Sequence, residues 1–390
     1  MKPKPINSNY TRKPRIFNQP ERFIEGWYWV LPSHKLLVGE VKPITILGKE
    51  LVIYRGEDGL VVIFDAYCPH MGAHLGEGKV KGNELRCFLH HWQYDQEGFC
   101  TKIPCLDESI DTTATKSIKA RNWPTEEKYG LIWVWTGENP QQSLPFIPEL
   151  EVAELDIAFG GKFLIHCHPH IVMVNPIDAQ HFYNIHRQVW ESSFQKQELN
   201  ENAIIFRYNQ QCNNYNSNSP IKILRFLLNP PISYHLCYWY GSTMIVRVEI
   251  RFLHFQFNCH ILYALRLIES GKTTGIRIFI AKKRPGIIGH IYGKFLLWLS
   301  KIVINAINYM SNQHGRLFPK PGKNNRNNIE FNLQHPLELD QPIIEFISHL
   351  ERQKPLKWGT WSWERFTDNQ QMESQKPQNV QKWRDDLAND

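Results

Sequence analysis

The sequence lacks an apolar leader, and its first twenty residues contain no aspartate or glutamate beside five positive charges. A secretory signal peptide needs an apolar stretch, so this pattern excludes one and predicts a basic, disordered arm over residues 1–21 of a cytoplasmic protein. The formal net charge of +7 is modest for 390 residues, and we therefore do not expect nucleic acid as a partner.

The chain also lacks a long hydrophobic run without charges. Its most apolar stretch, residues 287–310, carries His290, Lys294 and Lys301, which excludes a bilayer span. Two interpretations stay open for this stretch. It forms either a helix of the protein core or pocket cover, or an interfacial helix whose basic residues meet anionic lipid in a peripheral membrane contact.

A disulfide framework is absent as well, because the eight cysteines are scattered over a long chain without the dense spacing of a small secreted protein. They are Cys68, Cys87, Cys100, Cys105, Cys167, Cys212, Cys237 and Cys259. We expect some of them to bind metal and the others to be small buried hydrophobic residues.

Two regions of different pattern are present. Residues 22–137 contain "ITILGKELVIYRGEDGLVVIFDA", which predicts three strands, and "YGLIWVWTG", which predicts another, so this region is expected to be a compact all-β domain. A segment with three prolines, 138–150, leads into a second domain over residues 138–366. The polar residues 367–390 predict a disordered tail.

The second region mixes strands and helices, which makes the whole chain α+β. "GKFLIHCHPHIVMV" and "TMIVRVEIRFLHFQFNCHILYALRL" alternate as long strands of an antiparallel sheet do. "DAQHFYNIHRQVW" and "GHIYGKFLLWLSKIVINAINYMS" have helical periodicity. On a strand, the histidines of "HCHPH" would point to one face as a structural row.

Two short motifs in the first region supply metal ligands. Cys68 and His70 form C-x-H, Cys87 and His90 form C-x-x-H, and sixteen residues separate the two motifs. Zinc accepts two thiolates with two imidazoles. A [2Fe-2S] cluster in which two histidines replace two cysteines on one iron requires the same four ligands, so the residue types alone leave both open.

With Gly72 beside the first motif and Trp92-Gln93-Tyr94-Asp95 after the second, the pair resembles the cluster motifs of the Rieske non-heme iron oxygenases. Rieske proteins of respiratory and photosynthetic complexes have one more cysteine in each loop, where this chain has Ala73 and Leu89. The resemblance is therefore to the oxygenase subtype. It implies a β-sandwich domain whose [2Fe-2S] cluster is held by Cys68, His70, Cys87 and His90.

One position departs from the family pattern. The residue after the second histidine ligand is commonly glycine in the family, and here it is His91. Counting from Cys87 favours His90 as the cluster ligand. His91 then raises a question of backbone strain, since it stands where the family uses the most permissive residue.

The stretch "VNPIDAQHFYNIH" contains Asp178, His181 and His186 as D-x-x-H-x4-H, which resembles the mononuclear iron motif of the same family. Two imidazoles and one carboxylate on one side of Fe(II) leave positions open for O2. On a regular helix the two histidines are about 140° apart, so the helix must bend or end between them. The resemblance implies that Asp178 links His181 to the cluster histidine His90 of a neighbouring subunit.

The third iron ligand is expected in "LELDQPIIEFISHLERQ". Asp340 precedes Ile343, Ile344 and Ile347 at helical spacing and would face the core, whereas Glu345 would face water. The run also resembles the family's C-terminal ligand segment, which favours Asp340, with Glu345 next. An aspartate at this distance before a helix is, however, also an ordinary cap.

The resemblance covers residues 23–363 and implies the terminal oxygenase α subunit of a homotrimer. An NAD(P)H-dependent reductase, directly or through a ferredoxin, would supply electrons, and Fe(II) would activate O2 to oxygenate an apolar aromatic, polycyclic or isoprenoid substrate. Monooxygenation, dioxygenation, desaturation and demethylation all stay open. The alternative is an electron-transfer protein whose second domain binds lipid and holds no active iron.

Overall fold

The structure, a computed structural model, describes ten stretches of the chain that belong to one compact unit. They are residues 22–106, 117–140, 143–151, 153–184, 194–208, 232–239, 242–252, 255–269, 272–313 and 336–356. The arm predicted over residues 1–21, the tail predicted over 367–390 and the predicted iron ligand His186 lie outside the described residues.

Eleven strands form three antiparallel sheets in the described part of residues 22–137. They are β1 (Trp27–Pro32), β2 (Val41–Ile46), β3 (Lys49–Arg55), β4 (Val61–Asp65), β5 (Lys79–Lys81), β6 (Glu84–Arg86), β7 (Gln93–Tyr94), β8 (Cys100–Lys102), β9 (Asn122–Trp123), β10 (Thr125–Lys128) and β11 (Leu131–Trp135). The strand orders are β1-β11-β10, β2-β3-β4-β9 and β5-β6-β7-β8. The predicted all-β character of this region is confirmed.

The first predicted hairpin shows how local sequence sets this region. Ile46 pairs with Lys49, so a two-residue loop joins β2 to β3. Both loop residues have positive φ, 43° at Leu47 and 78° at Gly48. Loops of this length favour positive φ because its twist matches that of the flanking strands, and glycine adopts it at little cost.

The rest of the described chain forms one seven-stranded antiparallel sheet and four α-helices. The strands are β12 (Leu155–Ile165), β13 (Phe194–Asn200), β14 (Ala203–Tyr208), β15 (Ile232–Trp239), β16 (Thr243–Phe252), β17 (Phe255–Glu269) and β18 (Lys272–Lys282), in the order β12-β18-β17-β16-β15-β14-β13. The helices are α1 (Pro169–Val174), α2 (Ala179–Asn184), α3 (Gly286–Gln313) and α4 (Gln341–Glu351). The α+β class is confirmed, and no helix in the described stretches is long and apolar enough to cross a bilayer.

One face of the seven-stranded sheet packs against the three-stranded sheet of the first region. Their common hydrophobic core contains Trp27, Trp29, Trp133 and Trp135 on one side and Leu262, Ala264, Ile276, Ile278 and Ile280 on the other. Leu144, Ile147 and Leu150 of the proline-containing segment are buried in the same core. The two regions are therefore joined by packing as well as by the chain.

The opposite face of the seven-stranded sheet carries the helices. Residues alternate along β17: Leu262 and Ala264 belong to the first core, whereas Ile261 and Leu265 belong to a second core with residues of α1, α3 and α4. Helix α4 contributes Ile343, Phe346, Ile347 and Leu350 to this second core. The helical layer thus lies on the far side of the sheet from the tryptophans.

The strand predicted through "HCHPH" is wrong in its second half. Strand β12 ends at Ile165, and α1 begins at Pro169, because proline has the φ required at the first turn of a helix and no amide to leave unpaired. His168 caps α1 by accepting a hydrogen bond from the His170 amide at 3.2 Å. His166 is exposed while His168 and His170 are buried, so the three do not form a row on one face.

Candidate functional site

Two loops of the first region carry the four predicted cluster ligands. The first loop follows β4 and turns sharply: the Gly72 amide donates to the Cys68 carbonyl at 2.9 Å, and the Cys68 amide donates to the Ala73 carbonyl at 2.8 Å. Gly72 has φ of 73°, in the left-handed region that glycine adopts readily. The turn thus favours a glycine beside the first motif.

The second loop joins β6 to β7 and is closed by a hydrogen bond of 2.9 Å from the Cys87 amide to the Trp92 carbonyl. His91 lies in this loop with φ of 57°, again in the left-handed region. Non-glycine residues there carry a cost of about 1–2 kcal/mol, although histidine is among the better tolerated. The position where the family has glycine is therefore one whose backbone favours glycine.

The two cysteines lie inside the protein, with Cys68 4% and Cys87 1% exposed. A hydrogen bond from the Cys87 thiol lowers the pKa of Cys68, and the same contact raises the pKa of Cys87. Two backbone amides of each loop also donate to the sulfur of that loop and favour its thiolate. They are those of His70 and Met71 for Cys68, and those of Leu89 and His90 for Cys87.

The two histidines lie at the surface beside each other. The ring centroids of His70 and His90 are 4.7 Å apart with an interplanar angle of 67°, and both residues are exposed. Trp92 stacks on His70 with centroids 4.0 Å apart and planes within 8° of parallel. This stack orients the imidazole of His70.

This set of donors fits a [2Fe-2S] cluster. A buried pair of thiols surrounded by amide donors suits one iron, and an adjoining surface pair of imidazoles suits the other. Cys68, His70, Cys87 and His90 would hold the group, and the amides would donate to the sulfurs of the two cysteine ligands.

Sequence reasoning missed one residue of this site, Tyr94. Its side chain is fully buried, and its hydroxyl lies 3.0 Å from the Cys68 sulfur, to which it donates when the cysteine is a thiolate. Burial raises the pKa of Tyr94, so the hydroxyl keeps its proton. The signal available in the sequence was only that an aromatic residue with a polar tip follows the second motif on a buried strand.

The second set of predicted residues begins at helix α2. Asp178 caps this helix, since its Oδ1 accepts from the amides of Gln180 and His181 at 2.9 and 3.0 Å. Burial raises the pKa of Asp178, with a smaller contribution from the charge of Asp340. Burial also lowers the pKa of His181, which keeps its imidazole in the neutral form that binds metal.

Asp340 is distant from α2 in sequence but contacts this helix through the side chain of Gln180. It is 6% exposed and ends a 3₁₀ turn, Glu338–Asp340, directly before α4. Its Oδ1 accepts from the Gln180 side chain at 3.1 Å and its Oδ2 from the Leu337 amide at 2.8 Å. Each carboxylate oxygen has a second lone pair, so these hydrogen bonds still allow metal ligation.

Glu345, the second candidate for the carboxylate ligand, lies on α4 in a different environment. Its Oε2 is 2.9 Å from the ammonium of Lys196 on β13, and its Oε1 accepts from Gln341 at 2.8 Å. An ion pair at the surface already uses this carboxylate, which favours Asp340.

The predicted iron site is complete only with a residue that is not described. Helix α2 is described to Asn184, and His186 lies outside the described residues, so the bend expected between the two histidines stays a prediction. Within the described stretches, no three His, Cys, Asp or Glu side chains are grouped so as to hold one metal ion. The structure brings together Asp178 and Asp340 through α2, with His181 on the same helix.

Comparisons with known proteins match the first region to a protein family and the chain to several relatives. Residues 26–122 match the family of the Rieske [2Fe-2S] domain. The chain is 34% identical over 180 residues to cholesterol 7-desaturase nvd of Drosophila melanogaster. The aligned residues cover 45% of this chain and 41% of the relative. The chain is also 30% identical over 173 residues to the oxygenase component of 3-ketosteroid-9-alpha-monooxygenase of Mycolicibacterium smegmatis. That alignment covers 43% of this chain and 44% of the relative.

Each of these matches thus spans less than half the length of the curated relative. A solved structure, dicamba monooxygenase with non-heme iron and dicamba, shares the fold with a TM-score of 0.51 over 86% of this chain and 98% of the other, at 18% identity. The fold and the first site therefore define a Rieske [2Fe-2S] domain joined to a large antiparallel sheet. The chain is related by sequence and fold to the Rieske oxygenases, as its motifs predict.

Replacing Tyr94 by phenylalanine is expected to lower the reduction potential of the bound cluster. A hydrogen bond to a cluster ligand stabilises the reduced form, which carries more negative charge, and phenylalanine cannot donate it. Protein-film voltammetry measures the potential of each variant. Tyr67→Phe is the control, because this exposed tyrosine in the first loop bonds to Glu50 and not to a sulfur; an equal shift in both variants would contradict the role of Tyr94.

Replacing His91 by glycine is expected to leave the cluster spectrum intact and to stabilise the fold. Glycine removes the cost of the left-handed backbone but adds chain entropy to the unfolded state, so the net gain is about 0.5–1 kcal/mol. Thermal unfolding and visible absorption measure both effects. His90→Ala should remove the cluster spectrum; if His91→Gly removes it and His90→Ala spares it, the ligand assignment is reversed.

Proposed function

We propose that the protein is the terminal oxygenase of a Rieske-type system, with a [2Fe-2S] cluster at Cys68, His70, Cys87 and His90 and a mononuclear iron at His181, His186 and Asp340. The observation that carries the proposal is the presence of two different donor sets in one chain. One is the pair of cluster loops, and the other is the meeting of α2 with the buried carboxylate of Asp340.

When bound, the cluster carries an electron and the iron binds and activates O2. The protein supplies the arrangement around them. Asp178 caps α2 through Oδ1 and so holds the backbone from which His181 projects. Burial keeps His181 neutral and therefore able to bind metal.

Electron delivery requires another protein to reach the cluster loops. In this proposal an NAD(P)H-dependent reductase, directly or through a ferredoxin, approaches the exposed rings of His70 and His90. Met71, Phe88 and Leu89 are 68%, 41% and 47% exposed around them, and an apolar patch of this kind is typical of a protein contact.

A neighbouring copy is the second partner for the same surface. We propose a homotrimer in which Asp178 of one chain approaches the cluster histidine of the next, as the family resemblance implies. The carboxylate of Asp178 is suited to this contact because only its Oδ1 is engaged in capping. Its second oxygen then accepts from an imidazole N–H.

The substrate in this proposal is an apolar polycyclic or isoprenoid compound. Support comes from the relatives, whose names specify cholesterol and a 3-ketosteroid. The reaction is oxygenation or desaturation of a C–H-rich skeleton, and the protein works in the cytoplasm against a membrane surface. Reduced cysteines in the described stretches suit that compartment, and such substrates partition into lipid.

Iron analysis of the reconstituted protein tests the proposal. We expect about three iron atoms per chain, two in the cluster and one mononuclear, together with O2 uptake under reduction. Asp340→Asn should reduce the content to about two, while Glu345→Gln, its matched control on α4, should keep about three. About two iron atoms in the parent protein without O2 uptake would support the electron-transfer alternative instead.

Asp178→Asn is expected to keep the iron content of the parent and to reduce turnover by about 100-fold. Asparagine retains the Oδ1 acceptor that caps α2, so the helix and His181 stay in place, whereas the negative charge is lost. Product formation is measured by mass spectrometry with a steroid panel. Glu338→Gln, an exposed acid on the neighbouring turn, is the control; normal turnover in Asp178→Asn would rule out the linking role.

A further inference from the structure

Helix α3 presents a stripe of large apolar side chains to solvent. It contains Ile287, Ile291, Phe295, Trp298 and Ile302, which are 81%, 63%, 51%, 56% and 44% exposed. Their spacing of four, four, three and four residues places them along one side of the helix. A third of the exposed large hydrophobic side chains in the described part of the chain lie on this one helix, so the stripe is not scattered surface composition.

The other side of α3 is packed tightly on the protein. Leu297 is 2% and Ser300 4% exposed, and Leu297 belongs to the second hydrophobic core. A Cβ added to Gly293 would lie 2.4 Å from the Asp156 carboxylate on β12, so the helix approaches that strand as closely as glycine permits. The apolar stripe therefore points away from the sheet and has a fixed orientation.

The charges around the stripe are almost all positive. Lys294 and Lys301 border it, three cations (Lys282, Lys283 and Arg284) precede the helix, and the sequence of α3 has no aspartate or glutamate. The cations before the helix line a groove of about 730 Å³ that also contacts Ile287 and Ile291. A ligand for this surface must therefore be apolar and anionic at the same time.

The two acids beside the groove do not reverse this charge. Glu154 is 2.7 Å from the ammonium of Lys283, and the largely buried Asp156 is 3.1 Å from the His290 ring. Lys282 and Arg284 are exposed, and the Arg284 guanidinium stacks 4.5 Å above the Tyr292 ring. Cations therefore outnumber acids in the groove that Ile287 and Ile291, at the start of the stripe, also line.

We propose that α3 is an interfacial helix that binds the surface of an anionic lipid bilayer. From Ile287 to Ile302 the stripe is about 22 Å long, so the helix lies flat with its apolar side chains among the upper acyl chains. Phe295 and Trp298, with ring centroids 5.8 Å apart, are suited to the headgroup boundary. The lysines and the groove then meet the lipid phosphates.

This inference deepens the membrane contact of the proposed function and does not depend on the oxygenase activity. A second copy of the chain is a poorer occupant of the stripe, because two such helices face to face would bring Lys294 and Lys301 against the same cations. A membrane rich in anionic lipid meets both the apolar and the charged part of the surface.

Vesicle co-sedimentation of the full-length holoprotein tests the proposal. We expect binding to vesicles of phosphatidylcholine with phosphatidylglycerol, much weaker binding to phosphatidylcholine alone, and weakening by salt. The double variant Phe295→Ser/Trp298→Ser should lose affinity by about tenfold or more. Lys294→Glu/Lys301→Glu should also lose about tenfold, through loss of the preference for anionic lipid.

The control variant is Leu37→Ser/Val38→Ser, which removes two side chains that are 67% and 59% exposed far from α3 in sequence. It should bind vesicles as the parent does, and all variants should keep the cluster spectrum. Unchanged binding of Phe295→Ser/Trp298→Ser would overturn the proposal. The proposal would also be overturned if this variant kept its vesicle binding but had a lower molecular mass than the parent by light scattering in lipid-free buffer. The stripe would then be a contact between copies of the chain.

Discussion

The packing of the tryptophan-rich sheet β1-β11-β10 against the seven-stranded sheet is the interaction on which the rest of the structure depends. Trp27, Trp29 and Trp133 are at most 1% exposed, and buried aromatics of this size dominate the energy of an interface. Arg266 on β17 also contacts Trp29 on β1. Its guanidinium lies 4.8 Å from the Trp29 ring centroid and donates to the Trp29 carbonyl at 3.4 Å. Burial lowers the pKa of Arg266 to about 10, so it stays charged at neutral pH. The two regions are therefore one body.

This arrangement separates the two candidate metal sites within a chain. The cluster cysteines Cys68 and Cys87 belong to a separate hydrophobic core of the first region, whereas α4, next to Asp340, packs on the face of the seven-stranded sheet opposite the tryptophans. Side chains alternate between the faces of a strand, so the seven-stranded sheet lies between the helical layer and the tryptophans. The homotrimer proposed above would supply a path between cluster and iron through a neighbouring copy.

Local patterns predicted the parts of the structure that local chemistry decides. The strands β2 to β4, the long pair β16 and β17 and the helix α3 follow from alternation, helical periodicity and glycine turns. The four cluster ligands could be proposed from the sequence because both motifs are short and each lies in a single loop. What could not be predicted depends on contacts distant in sequence: Tyr94 reaching Cys68, Gln180 reaching Asp340, and Leu144 entering a core shared by two regions. The strand predicted through "HCHPH" failed since alternation cannot show that Pro169 starts a helix.

The two candidate sites differ in how the protein accommodates their charge. At the cluster loops the Cys87 thiol, the Tyr94 hydroxyl and backbone amides lower the pKa of Cys68 and favour its thiolate, whereas the contact with Cys68 and burial raise the pKa of Cys87. Around α2, burial and the neighbouring Asp340 both raise the pKa of Asp178. The Asp340 charge disfavours that of Asp178, and a helix cap, a turn and the side chain of Gln180 hold the two side chains in place. In the proposed iron site a divalent cation would offset this repulsion, so metal binding there would also stabilise the junction between residues 178–181 and the start of α4.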